Sequence, residues 1–228
     1  MSLTVAEGEI FGLLGTNGAG KTTTIKILLG LTPSDSGRAS IFGKDPQNAI
    51  ARKRIGYMPE TAYYYPFLRA DELLTFYGRL CGMNKLEIKK RTEELLVDVG
   101  LEKAAGKQLK TYSKGMLQRV GIAQALLHDP DLFILDEPFT GLDPLARIHF
   151  RDLILSLKRR GKTVFFSSHE LSEAELICDR VAILKEGRCV YDGLTSEIAG
   201  DGGRNLERIF LRVLSEENAD SGTWKGGD

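Results

Sequence analysis

The run Gly15-Thr-Asn-Gly-Ala-Gly-Lys-Thr22 lies between an apolar stretch, Glu9–Leu14, and a segment, Lys21–Leu31, with Ile25, Leu28 and Leu29 at helical spacing. This is the pattern GxxxxGK(S/T) in the strand–loop–helix setting it requires. Glycines let backbone N–H groups turn inward toward anionic oxygens. The positive end of the following helix favours the same anion. The expectation is a nucleotide site built from Gly15, Thr16, Asn17, Gly18, Ala19, Gly20, Lys21, Thr22 and Thr23. Lys21 would reach the β- and γ-phosphates and the Thr22 hydroxyl would ligate Mg²⁺.

Further along, the pattern predicts strands at Ala39–Phe42 and Arg54–Met58, separated by a polar stretch, Gly43–Arg52. Helices follow: one from an N-cap at Asp71 carrying Leu73, Leu74, Phe76, Tyr77 and Leu80, then Lys85–Val99 and Ser113–Leu127. Strand and helix then alternate again through Asp131–Leu135, Pro144–Arg159, Lys162–Ser167 and Glu170–Cys178. Arg180–Leu184 and Arg188–Tyr191 predict a hairpin around Glu186-Gly187, and Leu206–Leu214 an amphipathic helix. Such alternation implies an α/β fold with a mainly parallel sheet, into which the helices of about 62–128 are inserted as a lobe. We expect one domain over 1–214 and a disordered, Gly-rich tail over 215–228.

Leu132–Leu135 runs into Asp136 and Glu137. A solvated strand end often carries such an acidic pair. A phosphate loop, however, needs a metal ligand at the carboxyl end of a neighbouring strand. Asp136 is therefore expected in the Mg²⁺ shell and Glu137 as acceptor of a proton from attacking water.

Composition removes several alternatives. Lys+Arg and Asp+Glu both number 31, so binding nucleic acid through a broad basic surface is disfavoured. Cys81, Cys178 and Cys189 lie far apart with no Cys/His cluster, which argues against structural zinc and a disulfide framework. No apolar run approaches the ~18 residues a membrane span needs, and Met1–Glu9 has neither the basic nor the apolar part of a signal peptide.

Tyr112-Ser-Lys-Gly-Met-Leu-Gln-Arg119 resembles the LSGGQ signature of ATP-binding cassette (ABC) ATPases, and it lies shortly before Asp136-Glu137 as in that family. Gly141-Leu-Asp143 resembles the family's D-loop, and Ser168-His-Glu170 its switch histidine. The resemblance runs from about Leu3 to Val190. It implies that Ser113, Gly115 and Asp143 cap ATP held by a second ATPase subunit, so that two ATPs are sandwiched head to tail. His169 would contact the γ-phosphate. Ser113 also reads as a plain N-cap. The Q-loop glutamine matches Glu60, which keeps one oxygen for Mg²⁺ or water and loses the amide donor.

The sequence departs from the family elsewhere too. Lys114 replaces a signature glycine, and either adds charge near the partner's phosphate or is a solvated lysine at a helix start. Fourteen residues precede Gly15, and the usual first strand of the small antiparallel β lobe, with its adenine-stacking aromatic, is absent from them. The expectation is a truncated or misassigned start, or a base held differently. Tyr63–Phe67 followed by Asp71–Leu80, and the Leu206–Leu214 helix, resemble the exporter-type subgroup.

The resemblance thus implies an ATP-hydrolysing subunit that powers a membrane permease, with export as its direction. Its place would be cytoplasmic, peripheral at the inner face of the membrane. Tyr63, Tyr64, Tyr65 and Phe67 would meet the permease. The rival is a soluble ABC-type ATPase acting on nucleic acid or ribosomes. Chromosome-maintenance relatives carry a long coiled coil between phosphate loop and signature, whereas Lys21 and Ser113 are 92 residues apart (113 − 21) with no heptad run of that length. Translation-type relatives carry two cassettes per chain. A kinase or small GTPase would lack the signature.

Overall fold

β-strand pairing brings the apolar runs side by side in the order β2-β3-β4-β1-β5-β6. In chain order these are β1 (Ile10–Gly15), β2 (Ile55–Met58), β3 (Leu132–Asp136), β4 (Thr163–Ser168), β5 (Arg180–Lys185) and β6 (Arg188–Leu194). The structure, a computed structural model, describes residues 1–198 and 205–216. β1 to β5 are parallel, and β6 closes the edge antiparallel to β5. Glu186 and Gly187 turn the hairpin with φ of 48° and 78°, the left-handed pair that a tight two-residue turn demands.

Strand side chains alternate between two apolar layers. Ile10, Leu14, Phe133, Leu135, Val164 and Phe166 face a core shared with α3 (Ala70–Leu80), α4 (Lys85–Asp98), α5 (Lys114–Leu126), α6 (Pro144–Arg159) and α7 (Leu171–Ile177). Phe11, Leu13, Ile134 and Phe165 face the other way, onto Ile25 of α1 (Lys21–Leu28). β1 and β4 are buried along their whole length, as central parallel strands covered on both faces must be. Register places Asp136 beside Ser167, Leu14 beside Ser168 and Met58 beside Leu135, so the loops that follow β1, β2, β3 and β4 leave one end of the sheet.

Local chemistry explains most boundaries. Asn84 and Glu87 form a reciprocal cap that starts α4. Asp143 caps α6 with Pro144 at its first position. α1 stops at Leu28 rather than Leu31, because Gly30 takes φ 66°.

Four expectations are corrected. Ala39–Phe42 forms no strand; Ile41 and Lys44 make an isolated bridge around Phe42, whose φ is 52° and whose ring lies under the Arg54 guanidinium at 3.8 Å. Within the polar stretch, Asn48 caps a short helix, α2 (Ala49–Arg52). Asp71 is not the cap of α3. The boundary is Arg69, whose N–H donates to Glu72 at 2.9 Å, and Asp71 sits in the first turn, where its charge faces the helix dipole. After α8 (Thr195–Ile198), α9 (Asn205–Glu216) includes Ser215 and Glu216 of the expected tail; 217–228 lies outside the described residues. α9 buries Leu206 fully.

The tightest joint tested by a single atom is Gly56 of β2. A Cβ there would lie 2.3 Å from the Ala125 carbonyl oxygen and 2.8 Å from the Pro130 ring. The obstruction is backbone, so it cannot rotate away. Gly56→Ala is expected to cost about 3 kcal/mol and to lower Tm by roughly 6–12 °C in a calorimetric scan. An unchanged Tm would contradict this close packing of α5 on β2.

Candidate nucleotide site

β1 delivers the phosphate loop at the carboxyl end of the sheet. Gly15 admits no side chain, since its Cβ would lie 2.5 Å from the Leu184 carbonyl oxygen. Thr16, Asn17 and Gly18 are exposed, Ala19 is buried, and the Ala19 N–H closes the turn onto Thr16 O at 3.2 Å. Gly18 and Gly20 have φ of 81° and 103°. Gly20 is the N-cap of α1 and offers no side-chain oxygen. The first-turn N–H groups of Lys21, Thr22 and Thr23 therefore lack an intrahelical acceptor and a side-chain cap, a donor set suited to an anion.

Lys21 is buried, and its Nζ donates to Gly15 O at 2.7 Å and to Thr16 O at 3.1 Å. The same ammonium lies 3.2 Å from Glu137 Oε1. Glu137 Oε2 is 2.7 Å from His169 Nδ1 and accepts the His169 N–H at 3.3 Å. Two strand ends and the loop thus converge on one buried carboxylate. Burying such a charge is tolerable because a cation pairs with it.

The backbone that presents Glu137 is unusual, with φ 50° in a non-glycine residue. It is held from three sides. Its N–H donates to Ser167 Oγ at 2.9 Å, and the Ser167 hydroxyl donates to Asp136 Oδ1 at 2.6 Å. Gln118 of α5, also buried, donates through Nε2 to the Glu137 and Pro138 carbonyls at 3.3 Å each. Phe139 then drops into the core against Phe150 and Phe166, with ring centroids 5.2 and 5.8 Å away. Asp136 itself is 1% exposed. Burial, and then the charge of Asp136, push the Tyr57 hydroxyl on the adjacent strand β2 up to about 12.

Ser113, Gly115 and Asp143 form a second group. Ser113 is the exposed N-cap of α5 and accepts the Met116 N–H at 3.2 Å. A Cβ on Gly115 would lie 2.8 Å from Gly141 O, so the start of α5 rests on the loop that leads to Asp143. Asp143 accepts the Ala146 N–H at 2.9 Å. Lys114 lays its stem along Gly141 and is otherwise exposed. Gln118 is the hydrogen-bonded link from this helix to Glu137. Glu60 lies exposed two residues beyond β2, and no hydrogen bond joins it to Lys21, Asp136 or Glu137 among the described residues.

Sequence reasoning missed three supports. Ser167 and Gln118 both sat inside quoted segments without a role. The third is the β5–β6 turn, where the Gly187 N–H donates to Ala19 O at 2.9 Å and braces the phosphate loop from outside. Nothing local to Gly187 signals that contact.

The donor set fits Mg²⁺ held together with phosphates. Asp136 and Thr22 offer hard oxygen atoms, and among the described residues no cluster of three or more His, Cys, Asp or Glu would hold a metal alone. Mg²⁺ typically takes one or two protein oxygens and keeps water and phosphate as its other ligands.

A mainly parallel α/β sheet with this loop, an acidic strand end and a helix starting at Ser113 has the form of a phosphate-loop nucleotide-binding domain. The family profile described as ABC transporter matches residues 1–140. An uncharacterized ABC transporter ATP-binding protein of Synechocystis is 50% identical over 99% of this chain, which spans 66% of that protein's length. A Nod factor export ATP-binding protein I of Paraburkholderia xenovorans is 40% identical over 92% of this chain and 70% of its own. The solved structure of an ATP-binding subunit of an ABC transporter superposes with a TM-score of 0.85 at 35% identity, covering 93% of this chain and 90% of that one. The chain belongs to the ABC transporter family.

Proposed function

We propose that residues 1–214 form one ATPase domain that binds Mg-ATP at Gly15–Thr23, hydrolyses it and powers a membrane permease. The observation that carries this reading is the Lys21–Glu137–His169 cluster, set against the phosphate loop with Asp136 beside it. Lys21 would exchange its carbonyl partners for β- and γ-phosphate oxygens. Glu137 would take the proton of the attacking water, and His169, bonded to the same carboxylate, would hold it in place beside the γ-phosphate. Thr22 and Asp136 would hold Mg²⁺, which when bound neutralises charge on the phosphate oxygens. Glu60 is assigned to the surroundings of that metal from its position two residues beyond β2, the strand next to β3.

The exposed start of α5 supports a head-to-tail pair of ATPase subunits. In such a pair, Ser113, Gly115 and Asp143 of one chain would close the site of the other. The segment between phosphate loop and signature contains helices of 11 and 14 residues, α3 and α4, too short for the coiled coil of the rival reading. No helix among the described residues is long and apolar enough to cross a membrane. In this reading the permease holds the chain at the cytoplasmic face. Export is the direction favoured by likeness to a relative described as a Nod factor export protein.

In this reading the exposed rings of the Tyr63–Phe67 segment would meet the permease. Tyr63, Tyr65 and Phe67 are 94%, 67% and 70% exposed, and Tyr63 lines a groove of about 550 Å³ together with Tyr57, Tyr77 and Leu80. Tyr64 instead packs against the helical core, and burial raises its hydroxyl above the usual tyrosine range. The triple change Tyr63→Ser, Tyr65→Ser, Phe67→Ser is expected to leave Tm within about 2 °C, because exposed positions contribute little to stability. Recovery of the chain with its permease from detergent-solubilised membranes should fall about tenfold, a loss of roughly 1.4 kcal/mol. Undiminished recovery would place the permease contact elsewhere.

A further inference from the structure

Arg147 stands on the first turns of α6, four residues after Asp143, and the sequence assigned it nothing. Its Nε donates to Leu142 O at 3.2 Å. Its two terminal nitrogens grip both oxygens of Glu170, one at 2.9 Å, in the forked geometry that only a guanidinium provides. Glu170 is the N-cap residue of α7 and follows His169 directly. Its backbone is tied to Ser168, whose Oγ accepts the Glu170 N–H at 2.9 Å. One side chain therefore spans the loop ending in Asp143 and the short loop that presents His169 to Glu137.

We propose that Arg147 is a positioning residue for hydrolysis: through Glu170 it sets His169 on Glu137 and fixes both against the Leu142 loop. The inference rests on the ATP-hydrolysing reading above. The ion pair is partly exposed, with side-chain exposures of 28% and 22%, so its worth to stability is small. α6 and α7 are also joined by Arg151 and Glu173, 3.6 Å apart one turn further on, which keeps the helices together without Arg147. What the fork supplies is orientation. The His169 Nδ1–Glu137 contact of 2.7 Å survives only if the His169 backbone is placed to a fraction of an ångström.

The test uses the full chain with Arg147→Met and Arg147→Lys. The chain has three histidines, His128, His149 and His169, so ring resonances of each can be followed in a ¹⁵N-histidine sample. In Arg147→Met without nucleotide, the His169 ring signals should move while those of His128 stay. With Mg-ATP, kcat should fall about tenfold, the scale expected of a small misplacement at the reacting atoms, with ATP affinity within about twofold of wild type. Arg147→Lys keeps charge but not the fork and should be slower than wild type.

Unmoved His169 signals, or a wild-type kcat in Arg147→Met, overturn the proposal. If that variant does not fold, a wild-type kcat in Arg147→Lys overturns it instead. A wild-type chain that fails to hydrolyse ATP would sink the ATPase reading, while the His169 signals would still test what Arg147 holds.

Discussion

Glu137→Gln is expected to stop ATP turnover while ATP remains bound. The substitution keeps side-chain shape, the strand end and the Gln118 and Ser167 bonds to the Glu137 backbone. It removes the buried carboxylate that faces both Lys21 and His169, and an amide cannot accept the proton of an attacking water. Loss of a general base costs about 10²–10⁴-fold in rate. Lys21 is freed from its carboxylate partner, so phosphate binding should persist. With hydrolysis blocked, ATP should hold two chains together, because in the proposed head-to-tail pair the exposed Ser113 end of α5 would close the site of a second copy. The measurement is phosphate release alongside mass by light scattering after size exclusion with Mg-ATP. Wild-type hydrolysis would end the assignment of Glu137 as base. A chain that loses turnover and never pairs, with or without permease, would remove the support for the sandwich.

Lys21→Ala should act at the opposite step. The ammonium is the single side-chain charge inside the loop, and a charge-assisted phosphate contact is worth about 1.5–3 kcal/mol. Losing it, together with its hold on the Gly15 and Thr16 carbonyls, should weaken ATP binding by on the order of 100-fold in equilibrium titration. The change also removes the cation facing Glu137. The His169 bond remains, so the destabilisation should be modest, about 1–2 kcal/mol and well below that of a fully orphaned buried charge. ATP affinity equal to wild type would refute the phosphate-loop assignment. Lost affinity with a collapsed Tm would instead identify Lys21 as a structural residue.

How much of this was legible in advance depended on the distance over which each feature is determined. The phosphate loop was readable because Gly15, Gly18 and Gly20 answer to backbone geometry within a few residues. The strands at Glu9–Leu14, Asp131–Leu135 and Lys162–Ser167 were readable because burial on both faces leaves an uninterrupted apolar run. The helices expected from Lys85, Ser113 and Pro144 begin where local side chains, Asn84, Ser113 and Asp143, cap them. Errors fell where local signals competed. The apolar Ile41 and Phe42 read as a strand, but a left-handed Phe42 turned the chain back on itself. Asp71 reads as a cap by residue type, while the Glu72 carboxylate captured the Arg69 N–H and moved the boundary.

By itself, then, the sequence determined the alternating architecture, the anion-binding loop and the acidic end of β3, each encoded by neighbours in the chain. Only the tertiary structure decided which groups meet there. Ser167 reaches Asp136 across 31 positions, Gln118 reaches Glu137 across 19 and Arg147 reaches Glu170 across 23. Likewise, the packing of α3 to α5 turned Tyr64 inward and left Tyr63 and Tyr65 outside. The physical reason is the same in each case. A hydrogen bond or a buried face is set by the register and stacking of whole elements, and no periodicity along one segment records where another segment will lie.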